Sequence, residues 1–466
     1  MAEQNVEAVI LAAGLGTRMK SDTIKILHRA GGRAIVDYVI TLAESITGTA
    51  PILVIGHQRD AVRAHCGERA RYAVQDEQLG TGHAVLQARS ALGDSLEGKT
   101  VLILSGDVPL TRRETLDRMI VEHHTHARAA TLLSMVLDVP ALYGRIVRGS
   151  DGELQRIVEA KDASSEELLL SEVNGGIYLF DAPALFDTLS TLSTDNSQGE
   201  YYLTDVIARL RETGRAVGAV IADDPVETLG VNSRAELATV ESELVRRRVD
   251  ELMAQGVTFR NPAAISIDSS VSIGADTVVY PFVTLEGETS IGRNCIVEPG
   301  VHLRNVIVED NVTLRTGTVA EDARIASHSA VGPYSHLRPG TVLQQSVKIG
   351  NFVETKKAVF ARGAKASHLS YIGDAEVGAE ANIGAGTITC NYDGVNKHKT
   401  TIGEGAFIGS DTQLVAPVTI GKGAYVGAGS TVTKDVPPDS LALSRTPQKT
   451  IVGWATKRRE EMKKEK

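Results

Sequence analysis

The sequence predicts two architectures in one chain: an α/β half with a mostly parallel sheet, then a parallel β-helix of six-residue repeats. Three observations carry this. Apolar, β-rich runs alternate with helical stretches through the first half. Aliphatic residues recur at every sixth position through the second. Aromatics make up only 4% of the 466 residues while glycines number 44, so the cores must be built from small aliphatic side chains.

In chain order, residues 6–12, 52–55, 101–104, 131–136 and 176–180 are the predicted strands of the first half. The run from Val6 to Ala13, broken only by Glu7, is too short to span a membrane and has no basic segment before it, so it reads as a buried first strand and not a signal peptide. Ser233-Arg-Ala-Glu236 is a capping box, and Leu237, Val240, Leu244, Val245, Val249 and Leu252 then keep helical spacing up to Gly256. The predicted organisation is an α/β domain over 1–232, a linker helix over 233–256, a β-helix over 257–454 and a charged tail over 455–466.

The hexad register starts at Ile267 and holds through Ile273, Val279, Leu285, Ile291, Val297 and Leu303. After short slips it returns as Ile325, Val331, Leu337, Leu343 and Ile349, then Val377 and Ile383, then Ile402, Ile408, Leu414, Ile420, Val426 and Val432. Glycine often follows the aliphatic residue, as at Gly274, Gly350, Gly384 and Gly409. Each hexad is expected to form one short strand with its aliphatic side chain inward and a small residue at a tight corner. An antiparallel sandwich would show a period of two instead.

Two groups of motifs carry chemistry. In the first half, Leu11-Ala12-Ala13-Gly14-Leu15-Gly16-Thr17-Arg18 follows the first strand, where backbone amides can cradle phosphate. It is joined by Lys25, Gln75, Gly80-Thr81-Gly82 and Ser105-Gly106-Asp107, the last at a strand end where ligands gather in α/β sheets. With Gly144, Glu159, Asn174 and Asn232, this set resembles the sugar-nucleotidyltransferase family, whose fold is Rossmann-like. The resemblance implies that Arg18 and Lys25 face the phosphates of UTP, and that Leu11 to Gly14, Gln75, Gly80 and Thr81 read uracil and ribose. It further implies that Ser105, Gly106 and Asp107 border the nucleotide, that Gly144, Glu159 and Asn174 hold N-acetylglucosamine, and that Asp107 and Asn232 ligate Mg²⁺ through hard oxygens. The chain departs from the family at Leu15, commonly lysine, at Ile24, commonly proline, and at Gly175, commonly serine or threonine. These departures read as tuning of the site.

In the second half, the hexad repeat resembles the hexapeptide-repeat acyltransferases, which implies a left-handed, triangular, trimeric β-helix. Its interruptions hold Arg338 in Leu-Arg-Pro-Gly, Glu354 and Lys356 in Asn-Phe-Val-Glu-Thr-Lys-Lys, and His368 and Tyr371 in Ser-His-Leu-Ser-Tyr. Asn382-Ile-Gly-Ala385 and Thr389-Cys-Asn391-Tyr392-Asp-Gly follow. From end to end the chain resembles the bifunctional N-acetylglucosamine-1-phosphate uridyltransferase/glucosamine-1-phosphate acetyltransferase family. A base must take a proton from the sugar amine as it attacks a thioester, and imidazole is the side chain suited to that near neutral pH. His368 is that candidate. The resemblance assigns Arg338 and Lys356 to the sugar phosphate and Tyr371, Asn382 and Asn391 to the sugar. It assigns Ala385, Tyr392, Ser410, Ala428 and Arg445 to the acetyl-CoA groove, with Asn391 beside them. Glu354 is expected either to tune His368 or to hold the amine. Lys397, in the loop Asn391 to Lys399, is expected to complete a neighbouring subunit's site.

The implied activity is acetyl transfer from acetyl-CoA to glucosamine 1-phosphate, then uridylyl transfer from UTP to the product with release of pyrophosphate. UDP-N-acetylglucosamine for bacterial peptidoglycan and lipopolysaccharide synthesis would result. Two rivals stand beside it: a sugar-1-phosphate nucleotidyltransferase with a regulatory β-helix, and a trimeric scaffold without activity. The formal charge of −9 gives no footprint for nucleic acid. The basic cluster Lys457, Arg458, Arg459, Lys463, Lys464 and Lys466 reads as a solvated tail. The three cysteines, Cys66, Cys295 and Cys390, match neither a metal motif nor a disulfide framework, and a reducing, cytoplasmic setting without membrane insertion is expected.

Overall fold

The computed structural model describes residues 5–14 and 16–464. It divides into two compact units whose boundary falls between Arg247 and Arg248.

In the first unit, β1 (Val6–Ala12), β2 (Arg29–Ala30), β3 (Arg33–Ala34), β4 (Ile52–Ile55), β5 (Arg71–Val74), β6 (Thr100–Ser105), β7 (Ala130–Val136), β8 (Arg145–Arg148), β9 (Leu154–Val158), β10 (Glu172–Asp181) and β11 (Val217–Ile221) follow in order. The small β2–β3 hairpin stands apart, and the main sheet runs β11-β7-β10-β6-β1-β4-β5, with β8 and β9 attached to β10. Every predicted strand is present. Pairing is parallel along β6-β1-β4-β5 and between β7 and β11, whereas β10 lies antiparallel to both β6 and β7.

Alternation along β1 shows how the sheet makes two cores. Ala8, Ile10 and Ala12 point into one, while Val9 points into the other. Helix α1 (Ile35–Thr47) supplies Ile35, Val36, Val39 and Ile40 to the first core. Helices α2 (Arg59–Cys66), α3 (Thr81–Gln87), α4 (Arg113–Thr125), α5 (Ala182–Leu189) and α6 (Asp205–Glu212) complete the layers on both faces. This doubly covered sheet carries its loops at the carboxyl ends of β1, β4 and β6, where the first site lies.

The capping box forms at the start of α7 (Arg234–Ala254), with one shift from the expected pattern. The Glu236 amide donates to Ser233 Oγ at 3.3 Å, but the Glu236 carboxylate accepts from the Asn232 amide at 2.8 Å, one residue earlier than in a standard box. The unit boundary falls inside this helix and not at its ends. Arg247 donates to the Leu110 carbonyl at 2.7 Å in the first unit, and Arg248 to the Val271 carbonyl at 2.6 Å in the second.

The second unit is a parallel β-helix. Ile267 pairs with Leu285, three hexads on, and Leu285 in turn with Leu303. Every aliphatic residue in the predicted register is buried. One face is an 11-stranded ladder; the other two join into a 17-stranded sheet, because Glu354–Phe360 and Tyr371–Val377 run continuously round a corner.

The glycines have a different reason from the expected one. The left-handed residue that turns a corner stands two or three places after the inward residue, and it is Asn294, Asn305, Phe352 or Asp411 as readily as glycine. Glycine directly after the aliphatic residue is set by the next coil: a Cβ on Gly350 would sit 2.1 Å from the Ser367 carbonyl oxygen, and one on Gly384 2.6 Å from the Ile408 carbonyl oxygen. The basic tail forms α8 (Trp454–Lys464), whose side chains are all exposed. Lys466 lies outside the described residues.

Candidate active sites

The first site is a cavity of about 250 Å³ at the carboxyl edge of the sheet. Leu11, Ala12, Ala13, Gly14, Lys25, Gln75, Gly80, Thr81, Ser105 and Asp107 line it, a set assembled from four separate segments. Gly106 backs the wall, its amide donating to the Leu11 carbonyl at 2.9 Å. Gln75 is buried, and its amide donates to the Gly80 carbonyl at 3.1 Å, which fixes its head at the pocket floor. Gly80 begins α3 with φ +108, and a Cβ there would meet the Tyr201 carbonyl oxygen at 2.6 Å, so this turn accepts only glycine.

The cation in this cavity is paired. The Lys25 ammonium contacts Asp107 Oδ2 and donates to Asn232 Oδ1 at 3.0 Å, while Ser105 Oγ donates to Asp107 Oδ1 at 2.7 Å. The two oxygens predicted to hold a metal therefore converge on a single cation. Among the described residues no cluster of three or more His, Cys, Asp or Glu side chains could hold a metal alone.

A second cluster joins Gly144, Glu159 and Asn174. The Asn174 amide donates to the Gly144 carbonyl at 2.8 Å, Asn174 Nδ2 donates to the Tyr178 hydroxyl at 2.7 Å, and Thr204 donates to Glu159 Oε1 at 3.1 Å. Burial holds the Glu159 carboxyl above the ordinary carboxylate range; Asp205, Asp162 and Glu200 push the same way, and the Thr204 hydrogen bond opposes them. Arg18 is exposed and is not part of the cavity wall. Leu15 lies outside the described residues. Ile24 has φ −56 and ψ 139, a conformation proline would share, so this departure leaves the backbone path unchanged. Gln78, Ile26, Ala84 and Glu200 also line the cavity and went unnoticed in the sequence, although Gln78 lies between Gln75 and Gly80. A larger cavity, about 620 Å³, opens where β6 and β11 begin, among Lys99, Arg128 and Arg215. None of the motif residues reaches it, and it lies at the opposite edge from the one where parallel sheets collect ligands.

The second site is an open surface built by coil stacking. Glu354 pairs with Tyr371 and Lys356 with Gly373 across adjacent strands, and Arg338 follows Leu337, the partner of Thr355. Arg338 and Lys356 thus occupy the same place on neighbouring coils. Arg338 donates to Glu354 Oε1 at 2.8 Å, so Glu354 is engaged by the arginine. Within the chain, Lys397 stands beside Lys356. Their contact and like charge hold the Lys356 ammonium below the usual lysine range; Arg338 adds to this and Asp374 opposes it.

His368 is exposed at a corner of the coil. It follows Ala366 by two residues, just as Ala385 follows Ile383, Ser410 follows Ile408 and Ala428 follows Val426, and those aliphatic residues pair coil to coil. His368, Ala385, Ser410 and Ala428 therefore form one column along a corner, with small side chains below the imidazole. Arg445 crosses it, donating to the Ala428 carbonyl at 2.8 Å. Asn382 is half-buried one coil beyond Lys365, and Tyr392 is exposed on the adjoining loop. Asn391 Nδ2 donates to Asp374 Oδ2 at 2.5 Å, and Asp374 is a further member that the sequence did not single out.

Residues 7–226 match the family model described as Nucleotidyl transferase, 262–361 the GMPPB C-terminal domain, and 399–434 Bacterial transferase hexapeptide (six repeats). The repeat match fits the left-handed hexapeptide β-helix that the coil register builds. Proteins named Bifunctional protein GlmU are similar over nearly the whole length. That of Trichlorobacter lovleyi is 50% identical, covering 97% of this chain and 98% of its own, and that of Syntrophotalea carbinolica is 51% identical, covering 97% of each. The Geobacter metallireducens protein is 49% identical, over 98% of this chain and 100% of its own. With half of all positions shared over both units, the chain belongs to the GlmU family.

Proposed function

We propose that the chain acetylates glucosamine 1-phosphate with acetyl-CoA in its β-helix and joins the product to UTP in its α/β unit, giving UDP-N-acetylglucosamine and pyrophosphate. The observation that carries this reading is that each compact unit holds a chemically complete residue set of its own. The two rivals account for only one set or for neither.

In the α/β unit the sugar phosphate attacks the α-phosphorus of UTP and pyrophosphate leaves, so the protein's part is placement and charge. Lys25 neutralises phosphate charge, the Gly14 loop leaves backbone amides open to it, and Gln75, Gly80 and Thr81 hold the base and ribose. Glu159 and Asn174 accept and donate to the sugar beside Gly144. Asp107 and Asn232, whose oxygens already face one cation, would hold Mg²⁺ through hard oxygens. When bound it would neutralise charge on the triphosphate.

In the β-helix, Arg338, Lys356 and Lys397 present three cations on one open surface, the electrostatics a sugar phosphate calls for. With the phosphate held there, His368 takes the amine proton as nitrogen attacks the thioester carbonyl; the C–N bond forms, the C–S bond breaks, and the proton passes to the leaving thiolate. The small residues Ala385, Ser410 and Ala428 leave room for acetyl-CoA along the same corner. Asn382 and Tyr371 orient the sugar. A trimer is the proposed assembly: the exposed, stacked pairs Tyr334–Phe352 and Phe407–Tyr425 leave apolar rings for other copies to cover, and sedimentation equilibrium tests it. Among the described residues no helix is long and apolar enough to cross a membrane, and a cytoplasmic site of action is proposed with it.

The test is to supply glucosamine 1-phosphate, acetyl-CoA, UTP and Mg²⁺ and follow thiol and pyrophosphate release. His368→Ala should cut thiol release by about 10²–10⁴-fold while leaving uridylyl transfer to supplied N-acetylglucosamine 1-phosphate intact. Asp107→Ala should do the reverse. Loss of both reactions in either variant would sink the two-site reading.

A further inference from the structure

The loop after Asn391 interrupts the hexad register, in the coil between the paired strands Asn382–Ile383 and Phe407–Ile408, yet it is tightly made. Tyr392 and Lys397 pair as an antiparallel bridge, and the Asp393 amide donates to the Asn396 carbonyl at 3.1 Å. The Asp393 carboxylate sits at the centre. Its Oδ1 accepts from the Val395 amide at 2.8 Å and the Asn396 amide at 2.7 Å, and its Oδ2 lies 2.6 Å from His398 Nε2. The amide donors and the imidazole together bring its pKa down to about 2, so it is ionised throughout the neutral range. At the base of the loop the His398 amide donates to the Asn391 carbonyl at 2.8 Å, and Asn391 is tied to Asp374.

Lys397 is flanked on both sides by residues that this one carboxylate holds, Asn396 and His398. Lysine carries a long, flexible stem and places its charge poorly unless its backbone is fixed. Lys356 repels it, so without the clamp the ammonium would swing into solvent, away from its like-charged neighbour. We propose that Asp393 is a positioning residue for acetyl transfer: it folds the 391–399 loop so that Lys397 stands beside Lys356 and the pair is ready for the phosphate of the amino sugar. This rests on assigning that cation pair to the sugar phosphate. Asp393 itself touches no substrate; its effect passes through Lys397.

Steady-state kinetics on the full chain test it. Asp393→Ala should raise the KM for glucosamine 1-phosphate by about tenfold, with the KM for acetyl-CoA and the uridylyl reaction within about twofold of the parent. Asp393→Asn keeps an oxygen for the Val395 and Asn396 amides and should recover most of the loss; it carries the test if the alanine variant melts early. The deciding comparison is a double-mutant cycle. If Asp393 acts through Lys397, the pair Asp393→Ala/Lys397→Ala is no worse than Lys397→Ala alone. Independent, multiplying effects overturn the inference, as does an unchanged KM in Asp393→Ala when Lys397→Ala raises it. An unchanged KM in Lys397→Ala overturns the phosphate assignment first, and this inference with it.

Discussion

Under the proposed function, the two sites hold phosphate in opposite ways. In the α/β unit the cation is already paired: Lys25 lies against Asp107 and Asn232 inside a cavity, and the proposed nucleotide would exchange those contacts for its own. On the β-helix the cations crowd one another on an open surface, with Lys356 beside Lys397 and only Arg338 neutralised, by Glu354. The first arrangement is quiet before substrate arrives and relies on enclosure. The second is electrostatically loaded, and substrate relieves the repulsion. A fold whose loops converge on one sheet edge can wrap a ligand, whereas a solenoid offers flat faces and corners, where charge carries more of the binding.

The enclosed site gives the largest expected effect. Glu159 carries a folded pKa above its unfolded one, so the folded chain binds the proton more tightly, and stability falls as pH rises from the ordinary carboxylate value through the raised one. Glu159→Gln keeps an acceptor for Thr204 and removes that cost. Its melting temperature should exceed the parent's above this window and match it below the unfolded value. The KM for N-acetylglucosamine 1-phosphate should nevertheless rise about tenfold to a hundredfold, the worth of a hydrogen bond to a charged group. A variant that gains stability and keeps its KM would remove Glu159 from the sugar site.

Salt should separate the sites by a smaller margin. Exposed charges are screened within about 8 Å at physiological ionic strength, buried ones much less. The KM for glucosamine 1-phosphate should therefore climb several-fold between about 0.05 and 0.5 M salt, while that for N-acetylglucosamine 1-phosphate moves less. Parallel rises would erase the contrast between a loaded surface and a cavity whose cation is paired.

What the sequence revealed follows from which forces act locally. The strands Val6–Ala12 and Ile52–Ile55 are buried on both faces and so are legible as apolar runs, the first broken only by Glu7. The hexads are legible because one side chain per strand must point inward, and the column of His368, Ala385, Ser410 and Ala428 follows once coils stack in register. The antiparallel insertion of β10 was hidden, since strand direction depends on the connections and not on composition. Glu200 lines the cavity from a loop far from every motif, with nothing local to mark it. Asp393 looked like part of a motif; its job as the hub of a loop is visible only when its three hydrogen-bond partners have coordinates. The glycine after each aliphatic residue was legible, but its cause lies one coil away.

The effect smallest on catalysis concerns Gly175, where the resemblance to the nucleotidyltransferases expects serine or threonine. A Cβ there would lie 2.9 Å from the Leu133 carbonyl oxygen and 3.0 Å from the Thr228 methyl, and the register between β7 and β10 slips between Asn174 and Tyr178. The carbonyl belongs to a central strand and cannot retreat cheaply, whereas Thr228 can be trimmed. Gly175→Ser should therefore destabilise the α/β unit by about 1–3 kcal/mol, the usual cost of overpacking. Combined with Thr228→Ser, which removes the methyl, part of that loss should return in thermal melting. Acetyl transfer should be untouched, because the strain is confined to the other unit. If Gly175→Ser is neutral, the pocket at Asn174 is looser than these contacts describe, and the glycine is a drift in sequence with no packing behind it.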